Sequence, residues 1–164
     1  MRIYFAGPLF TQAERAWNRQ VAEVLEAAGH QVFLPQNAMQ GHEPADAESI
    51  FRKDVEGVAT SEALVAVLDG ADADSGTCFE CGLAYALGIP ILAVRTDFRA
   101  GGDALPGQAL MSINLMLSQA AAQIVNVTDP NFGPEAVAGA LVRALAHPPQ
   151  APKPPRRHGP NGVH

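Results

Sequence analysis

Acidic side chains are concentrated in one short segment of the sequence. Asp69, Asp72 and Asp74 are followed by Glu80, directly after an apolar run. The pattern places Glu80 in the first turn of a buried helix, where the helix dipole and free amides stabilise an anion. A carboxylate held in this way can act as a nucleophile, as in glycosyl transfer through a covalent intermediate. Asp69 and Asp72 are better explained as residues that cap the helix or solvate the loop.

The elements that must position these carboxylates follow from the hydrophobic pattern. Apolar runs that end at glycine, proline or polar residues predict buried strands, and apolar residues at helical spacing predict helices. A capping box formed by Thr11 and Glu14 marks the first helix start, and Pro134 suits the first turn of the last helix. Strands are predicted at 2–6, 31–34, 63–68, 91–94 and 124–127, and helices at 11–28, 47–61, 77–87, 108–122 and 134–146.

Strands that alternate with helices predict an α/β fold with a parallel sheet. The expected architecture is a single-domain, flavodoxin-like (Rossmann-like) three-layer fold over residues 1–146. Its five-stranded parallel sheet has the order 2-1-3-4-5, with helices on both faces. In this order ligands bind between the first and third strands, over the loops after Phe5 and Leu68. The acidic segment begins in the second of these loops.

Composition limits the classes of protein that fit. The chain has 164 residues, of which 48% are hydrophobic, and a formal net charge of −6. This charge argues against a nucleic-acid partner, and no apolar run approaches the roughly 20 residues that span a membrane. Two cysteines are too few for a disulfide-stapled secreted domain, so we expect a cytoplasmic protein. Residues 147–164 are rich in proline and are expected to form a mostly disordered tail.

Several segments together resemble the nucleoside 2-deoxyribosyltransferase family. The resemblance runs from Arg2 to about Val127. It rests on Ile3-Tyr4-Phe5-Ala6-Gly7-Pro8-Leu9-Phe10, on Asp54, on Asp74-Ser75-Gly76-Thr77-Cys78-Phe79-Glu80-Cys81-Gly82 and on Asn114-Leu115-Met116.

The resemblance implies catalytic roles for three residues. Glu80 is the nucleophile that attacks C1′ of a 2′-deoxynucleoside and holds the sugar covalently until a second base attacks. Asp54 meets the nucleobase and helps to move its proton, and Tyr4 places its hydroxyl against the nucleophilic carboxylate. The chemistry agrees, because loss of the base builds oxocarbenium character at C1′ that a nearby anion stabilises.

The resemblance also implies a set of substrate-binding residues. Asp74 holds the hydroxyl end of the sugar, Phe10 packs on the base, and Gly7 belongs to the same set. Asn114 matches a residue that reaches the 5′ end of the sugar from a neighbouring subunit. This match implies a homo-oligomer, a dimer or a trimer of dimers, with shared active sites. Gln36 is a candidate for a hydrogen bond to the base.

The expected activity is therefore transfer of 2-deoxyribose between nucleobases, in nucleoside salvage, with a 2′-deoxynucleoside and a free nucleobase as partners. One alternative is a 2′-deoxynucleoside 5′-monophosphate N-glycosidase, which is a hydrolase, and another is a catalytically silent nucleoside-binding sensor. Asp74 favours an unphosphorylated substrate, because a carboxylate repels a phosphate dianion. No metal or cofactor is expected. Cys78 and Cys81 form a C-x-x-C pair, for which burial in the helix is preferred over thiol exchange.

Overall fold

A computed structural model describes residues 1–38, 46–99, 101–107, 109–129 and 131–154. Within these ranges the chain forms five strands and six helices. The strands are β1 (Arg2–Ala6), β2 (Gln31–Phe33), β3 (Ala63–Val67), β4 (Ile91–Arg95) and β5 (Gln123–Asn126). The helices are α1 (Gln12–Ala27), α2 (Pro35–Ala38), α3 (Ala47–Ala59), α4 (Ser75–Leu87), α5 (Leu115–Ala120) and α6 (Pro134–Ala146).

All strand pairs are parallel, and the sheet order is β2-β1-β3-β4-β5. The predicted order 2-1-3-4-5 is thus confirmed. Strands β3 and β4 are buried along their whole length, as continuous apolar runs require when both sheet faces are covered. Helices α1 and α6 pack on one face around Val21, Leu25 and Leu141. Helices α3, α4 and α5 cover the other face around Val58, Ala84 and Ile113.

The capping box that the sequence predicts at α1 is present. Glu14 N donates to Thr11 Oγ1 at 3.1 Å, and Thr11 N donates to Glu14 Oε2 at 2.7 Å. Helix α2 is not among the predicted elements, which place only the strand at 31–34 in this region. Proline fits the first turn of a helix, because the amide that it lacks would have no helical partner there.

Helix α5 is the largest departure from the predicted elements. A helix was expected over 108–122, but α5 covers only Leu115–Ala120. Gln108 lies outside the described residues, and those from 109 to 114 are not helical. The Met111 amide and carbonyl hydrogen bond to Asp103 and Gly102, so this stretch returns along the chain rather than coiling. Helix α5 then begins where Asn114 caps it and where the Leu115 amide donates to Asp103.

The chain after α6 is described only in part. Residues 147–154 form neither helix nor strand, and residues 155–164 of the predicted tail lie outside the described ranges. Lys153 nevertheless has a definite contact, because its carbonyl accepts a hydrogen bond from Tyr85 on α4. Across the described residues, every helix falls short of the length and apolar character that crossing a bilayer demands.

Candidate active site

Glu80 on α4 and Tyr4 on β1 are joined by a short hydrogen bond. The Tyr4 hydroxyl donates to Glu80 Oε1 at 2.6 Å. Tyr4 is fully buried, and its ring stacks on Phe33 with the centroids 5.3 Å apart. Gly57 on α3 completes the packing, since a Cβ atom there would lie 2.9 Å from the Tyr4 ring. The tyrosine is thus held from two sides, and its hydroxyl fixes the direction of the Glu80 carboxylate.

The electrostatic environment of Glu80 differs from the one that the sequence predicts. Helix α4 starts at Ser75, not at residue 77, so Glu80 lies in the second turn, beyond the free amides of the helix start. The pKa of Glu80 is raised to about 7, chiefly by burial. The Tyr4 hydrogen bond opposes this rise, and the charges of Asp54 and Asp74 contribute to it. Stabilisation of the anion by the helix dipole was therefore a wrong expectation; Tyr4 is the group that favours the ionised form.

Asp54 faces the same region from α3. Its side chain is partly buried, and this burial raises its pKa above the ordinary value. Asp54 and Glu80 line the same two cavities, and the Asp54 charge is one of the causes that raise the Glu80 pKa. Two neighbouring carboxyl groups with raised pKa values can divide the roles of proton donor and anion between them.

Asp74 is the N-cap of α4. The Thr77 amide and the Thr77 hydroxyl both donate to Asp74 Oδ2, at 2.9 and 3.1 Å. The capping role that the sequence suggested for Asp69 or Asp72 thus belongs to Asp74. Thr77 is buried, so both donors hold Oδ2 in one place. The cap therefore fixes the carboxylate at the start of the helix that also carries Glu80.

A cleft of about 260 Å³ brings most of the predicted residues together. Its wall is formed by the loop after β1, by α3 and by the start of α4. Phe10 stands at its edge with 72% of its surface exposed. Gly7 lines the cleft where a Cβ atom would lie 3.2 Å from Val67 Cβ, so a larger residue would be crowded. The lining residues are Gly7, Leu9, Phe10, Pro35, Ile50, Asp54, Asp74, Gly76, Thr77 and Glu80.

A second cavity, also of about 260 Å³, reaches Asp54 and Glu80 from between α3 and α4. Its other walls are mainly apolar, with Phe51 and Phe79 in contact at a centroid distance of 5.8 Å. Both aromatic side chains are more than half exposed. The two carboxyl groups therefore border both cavities.

Two predicted residues lie outside this group. Gln36 is buried beneath the site, where its amide donates to the Arg15 carbonyl at 2.8 Å and accepts from Asn18 at 3.4 Å. Asn114 is exposed, caps α5 and borders a different cavity. The base-binding role of Gln36 and the inter-subunit role of Asn114 both remain predictions.

Arg95 is a structural residue that sequence reasoning missed. The fourth strand is predicted to end at residue 94, but Arg95 is its last residue and is 2% exposed. Its guanidinium donates to the carbonyls of Leu68, Gly70 and Arg99 at 2.5–2.7 Å. Asp69 completes the link by accepting from the Thr96 and Asp97 amides. These bonds fix the loop that leads to Asp74 and α4, and only the position of Arg95 at a strand end could have suggested them.

Comparisons with known proteins agree with the fold. A conserved protein from Enterococcus faecalis V583 is 31% identical, with 88% of this chain and 98% of that chain covered and a TM-score of 0.66. The 2-deoxyribosyltransferase from Bacillus psychrosaccharolyticus is 25% identical, with coverages of 84% and 96% and a TM-score of 0.61. The 2-desoxiribosyltransferase from Leishmania mexicana is 23% identical, with coverages of 90% and 98% and a TM-score of 0.62, which shows the fold alone.

A search of curated protein sequences found no significant match. The family model described as nucleoside 2-deoxyribosyltransferase matches residues 3–116. This range contains every predicted site residue, from Tyr4 to Asn114. Since the match extends over more than half of the sequence, the chain belongs to the nucleoside 2-deoxyribosyltransferase family.

Proposed function

We propose that this protein transfers 2-deoxyribose from a 2′-deoxynucleoside to a second nucleobase through an ester at Glu80. The observation that carries the proposal is the Tyr4–Glu80 hydrogen bond beside Asp54 and the cleft. A nucleophilic carboxylate needs a fixed direction and partial desolvation, and Glu80 has both. Membership of the nucleoside 2-deoxyribosyltransferase family supports 2′-deoxynucleosides and nucleobases as the class of substrate.

In the first half of the reaction, a Glu80 oxygen attacks C1′ as the bond from C1′ to the base nitrogen breaks. The electron pair of that bond moves to the base, and a proton from Asp54 neutralises it. The raised pKa of Asp54 suits a proton donor. Negative charge on Glu80 stabilises the oxocarbenium-like transition state before it forms the ester.

In the second half, a nitrogen of the incoming base attacks C1′ of the ester. The bond between C1′ and the Glu80 oxygen breaks, and its electron pair returns to the carboxylate. Asp54 takes back the proton that the incoming base loses, so both carboxyl groups end in their starting states. Hydrolysis is the same step with water as the nucleophile, so the balance between transfer and hydrolysis depends on how well the cleft holds the base.

Charge in the cleft favours a nucleoside over a nucleotide. Asp74 and Glu80 both border it, and a phosphate dianion beside these carboxylates would meet strong repulsion at low effective dielectric. Asp74 is the residue that the family resemblance assigns to the hydroxyl end of the sugar. A carboxylate accepts a hydrogen bond from a free hydroxyl group, whereas a phosphate has no proton to donate near neutral pH.

The direct test is base exchange in the absence of phosphate. Incubation with deoxyinosine and adenine should yield deoxyadenosine and hypoxanthine by chromatography, and Glu80→Gln should abolish both products. Glu56→Gln, an exposed substitution on α3, should retain full activity. Base release from deoxyadenosine 5′-monophosphate in clear preference to deoxyadenosine would instead identify a nucleotide N-glycosidase. Nucleoside binding without base release would identify a sensor.

We also propose that a second copy of the chain completes each site through Asn114. Asn114 is exposed and lines a different cavity from Glu80, which agrees with a role outside its own subunit. If sites are shared, Glu80→Gln and Asn114→Ala will each be inactive alone but will regain activity after mixing and subunit exchange. A mixture that stays inactive, although light scattering shows that the subunits have exchanged, would contradict shared sites.

A further inference from the structure

A groove of about 510 Å³ lies between α4 and α5, away from the cleft described above. On α4 it is lined by Cys78, Cys81, Gly82 and Tyr85, none of which borders the two cavities at Glu80. Most of its walls are apolar, and the exposed Met116 forms part of the α5 side. Asp72 lies at the end of the groove nearest the start of α4, and it is the charged residue among the described lining residues.

The C-terminal part of the chain arrives at the opposite end of this groove. After α6 ends at Ala146, residues 147–154 carry the chain to α4, where Tyr85 Oη donates to the Lys153 carbonyl at 3.4 Å. Tyr85 itself lines the groove. Ten residues follow Pro154 in the sequence, so this part of the chain begins beside an apolar groove that no described residue fills.

The length of this segment is sufficient for the whole groove. An extended proline-rich segment advances about 3.1 Å per residue, so ten residues reach roughly 30 Å. The stretch of α4 from Ser75 to Tyr85 rises only about 15 Å at 1.5 Å per residue. An extended segment that starts at Lys153 would cover these 15 Å in about five residues. Arg156 and Arg157 lie within those five residues, so their side chains could reach Asp72.

The charge of the segment is complementary to the rest of the molecule. Residues 147–164 contain three basic and no acidic residues, whereas residues 1–146 contain eight basic and seventeen acidic residues. Prolines also reduce the conformational entropy that docking would remove. We propose that residues 155–164 of this chain dock in the groove between α4 and α5, with Arg156 and Arg157 directed towards Asp72. The inference does not depend on the chemistry at Glu80, but Asn114 borders this groove, so the docked segment would lie beside the residue that is proposed to reach a second copy.

Carbene footprinting of the full-length chain tests this docking without depending on thiol or carboxyl ionisation. A diazirine is photolysed in the presence of the protein, and labelling is mapped on peptides that cover residues 78–85 and 115–120. The double variant R156E/R157E should increase labelling of both peptides at least two-fold. Replacing residues 155–164 by ten glycine and serine residues should do the same. R19E, an exposed charge reversal on α1, should leave the labelling unchanged.

Two results would overturn the proposal. Equal labelling of the wild-type chain and both tail variants at every protein concentration would show that the segment does not cover the groove. Labelling that falls with rising protein concentration, and falls equally in the tail variants, would show that a second copy covers it instead. Docking by the chain's own tail requires protection that is independent of concentration and that weakens in high salt.

Discussion

The central interaction at the residue scale is the balance of effects on Glu80. Burial disfavours its charged form, while the hydroxyl of Tyr4 favours it, and the result is a pKa of about 7. A carboxylate with this pKa is ionised often enough near neutral pH to attack and is still a reasonable leaving group from the ester. In the proposed reaction, Tyr4 therefore affects the fraction of enzyme in which Glu80 is ionised and able to attack.

Removal of the Tyr4 hydroxyl should shift the pH dependence of base release. Tyr4→Phe keeps the ring against Phe33 but deletes the donor to Glu80 Oε1. Hydrogen bonds to charged groups contribute about 1.5–3 kcal/mol, so the Glu80 pKa should rise by at least about one unit. The acid limb of kcat/KM, measured from pH 5 to 9, should move upward by that amount. An unchanged limb would show that Tyr4 does not act on the ionisation of the nucleophile.

Neutralising Glu80 should stabilise the protein at high pH. Its pKa rises from 4.5 to about 7 on folding, so the folded chain binds a proton more tightly and loses stability as pH rises through this window. Glu80→Gln removes that loss. Relative to wild type, urea unfolding should show a gain on the order of 2 kcal/mol at pH 8 and little gain at pH 4.5. A gain of the same size at both pH values would contradict a raised Glu80 pKa in the folded chain.

Residue types and spacing were enough to predict that Tyr4, Asp54, Asp74 and Glu80 lie close together, and the structure gathers them around one cleft. Their catalytic and binding roles remain predictions. Residue types and spacing did not reveal the buried role of Arg95, since the same sequence pattern fits an exposed loop arginine. Its role depends on carbonyl groups of Leu68 and Gly70, which lie 25–27 residues away in sequence. Gln36 illustrates the same limit, because a polar residue after a strand can face either the ligand or the core.

At the scale of elements, the site depends on how closely α3 approaches β1. Gly57 permits that approach, because only a hydrogen atom separates the α3 backbone from the rings of Tyr4 and Phe33. The α3 helix in turn carries Asp54 one turn earlier. The distance between α3 and β1 thus determines the positions of both the Tyr4 hydroxyl and the Asp54 carboxyl group.

Gly57→Ala should reduce both stability and activity. Alanine favours an isolated helix by about 1 kcal/mol, but its Cβ atom would lie 2.9–3.0 Å from two buried rings. Overpacking of this kind typically costs 1–3 kcal/mol, so the free energy of unfolding should fall by about 1 kcal/mol and base release should slow. Gly139→Ala on α6, where the nearest atom is a flexible Arg143 nitrogen at 3.6 Å, should be neutral or stabilising. Equal effects of the two substitutions in urea unfolding would refute the packing argument.

Hydrophobic patterns predicted the strands closely, because β3 and β4 are buried along their whole length and β1 is buried from Ile3 onward. The outer strands β2 and β5 are only partly buried, but each still contains a short apolar segment. The patterns predicted the first residues of helices less accurately, because side-chain caps and loop contacts decide where a helix begins. Helix α4 starts two residues earlier than predicted because Asp74, rather than a later residue, supplies the cap. Helix α5 was predicted too long because the backbone contacts between Met111, Asp103 and Gly102 are invisible to periodicity.

At the scale of the whole molecule, charge determines which substrates can approach. The chain has a net charge of −6, and three of its carboxyl groups border the cleft. Both features oppose a phosphorylated substrate. The C-terminal residues 147–164 are the exception, because they contain three basic and no acidic residues. If they dock on the acidic body as proposed, they reduce the negative charge of that surface.

The preference for an uncharged substrate should depend on salt. The ratio of kcat/KM for deoxyadenosine over its 5′-monophosphate should be well above one at low ionic strength. It should decrease as salt screens the repulsion between carboxylates and phosphate, because the screening length falls from about 30 Å at 0.01 M to about 8 Å at 0.15 M. A ratio below one, or one that rises with salt, would contradict the charge argument.

Mass spectrometry of the enzyme quenched in acid tests the central claim most directly. With a 2′-deoxynucleoside and no acceptor base, the peptide that contains Glu80 should gain the mass of one deoxyribosyl group, and added adenine should remove it. Glu80→Gln should show no gain, while Glu56→Gln should match the wild-type chain. Base release without any adduct on this peptide, or an adduct on another residue, would contradict Glu80 as the nucleophile.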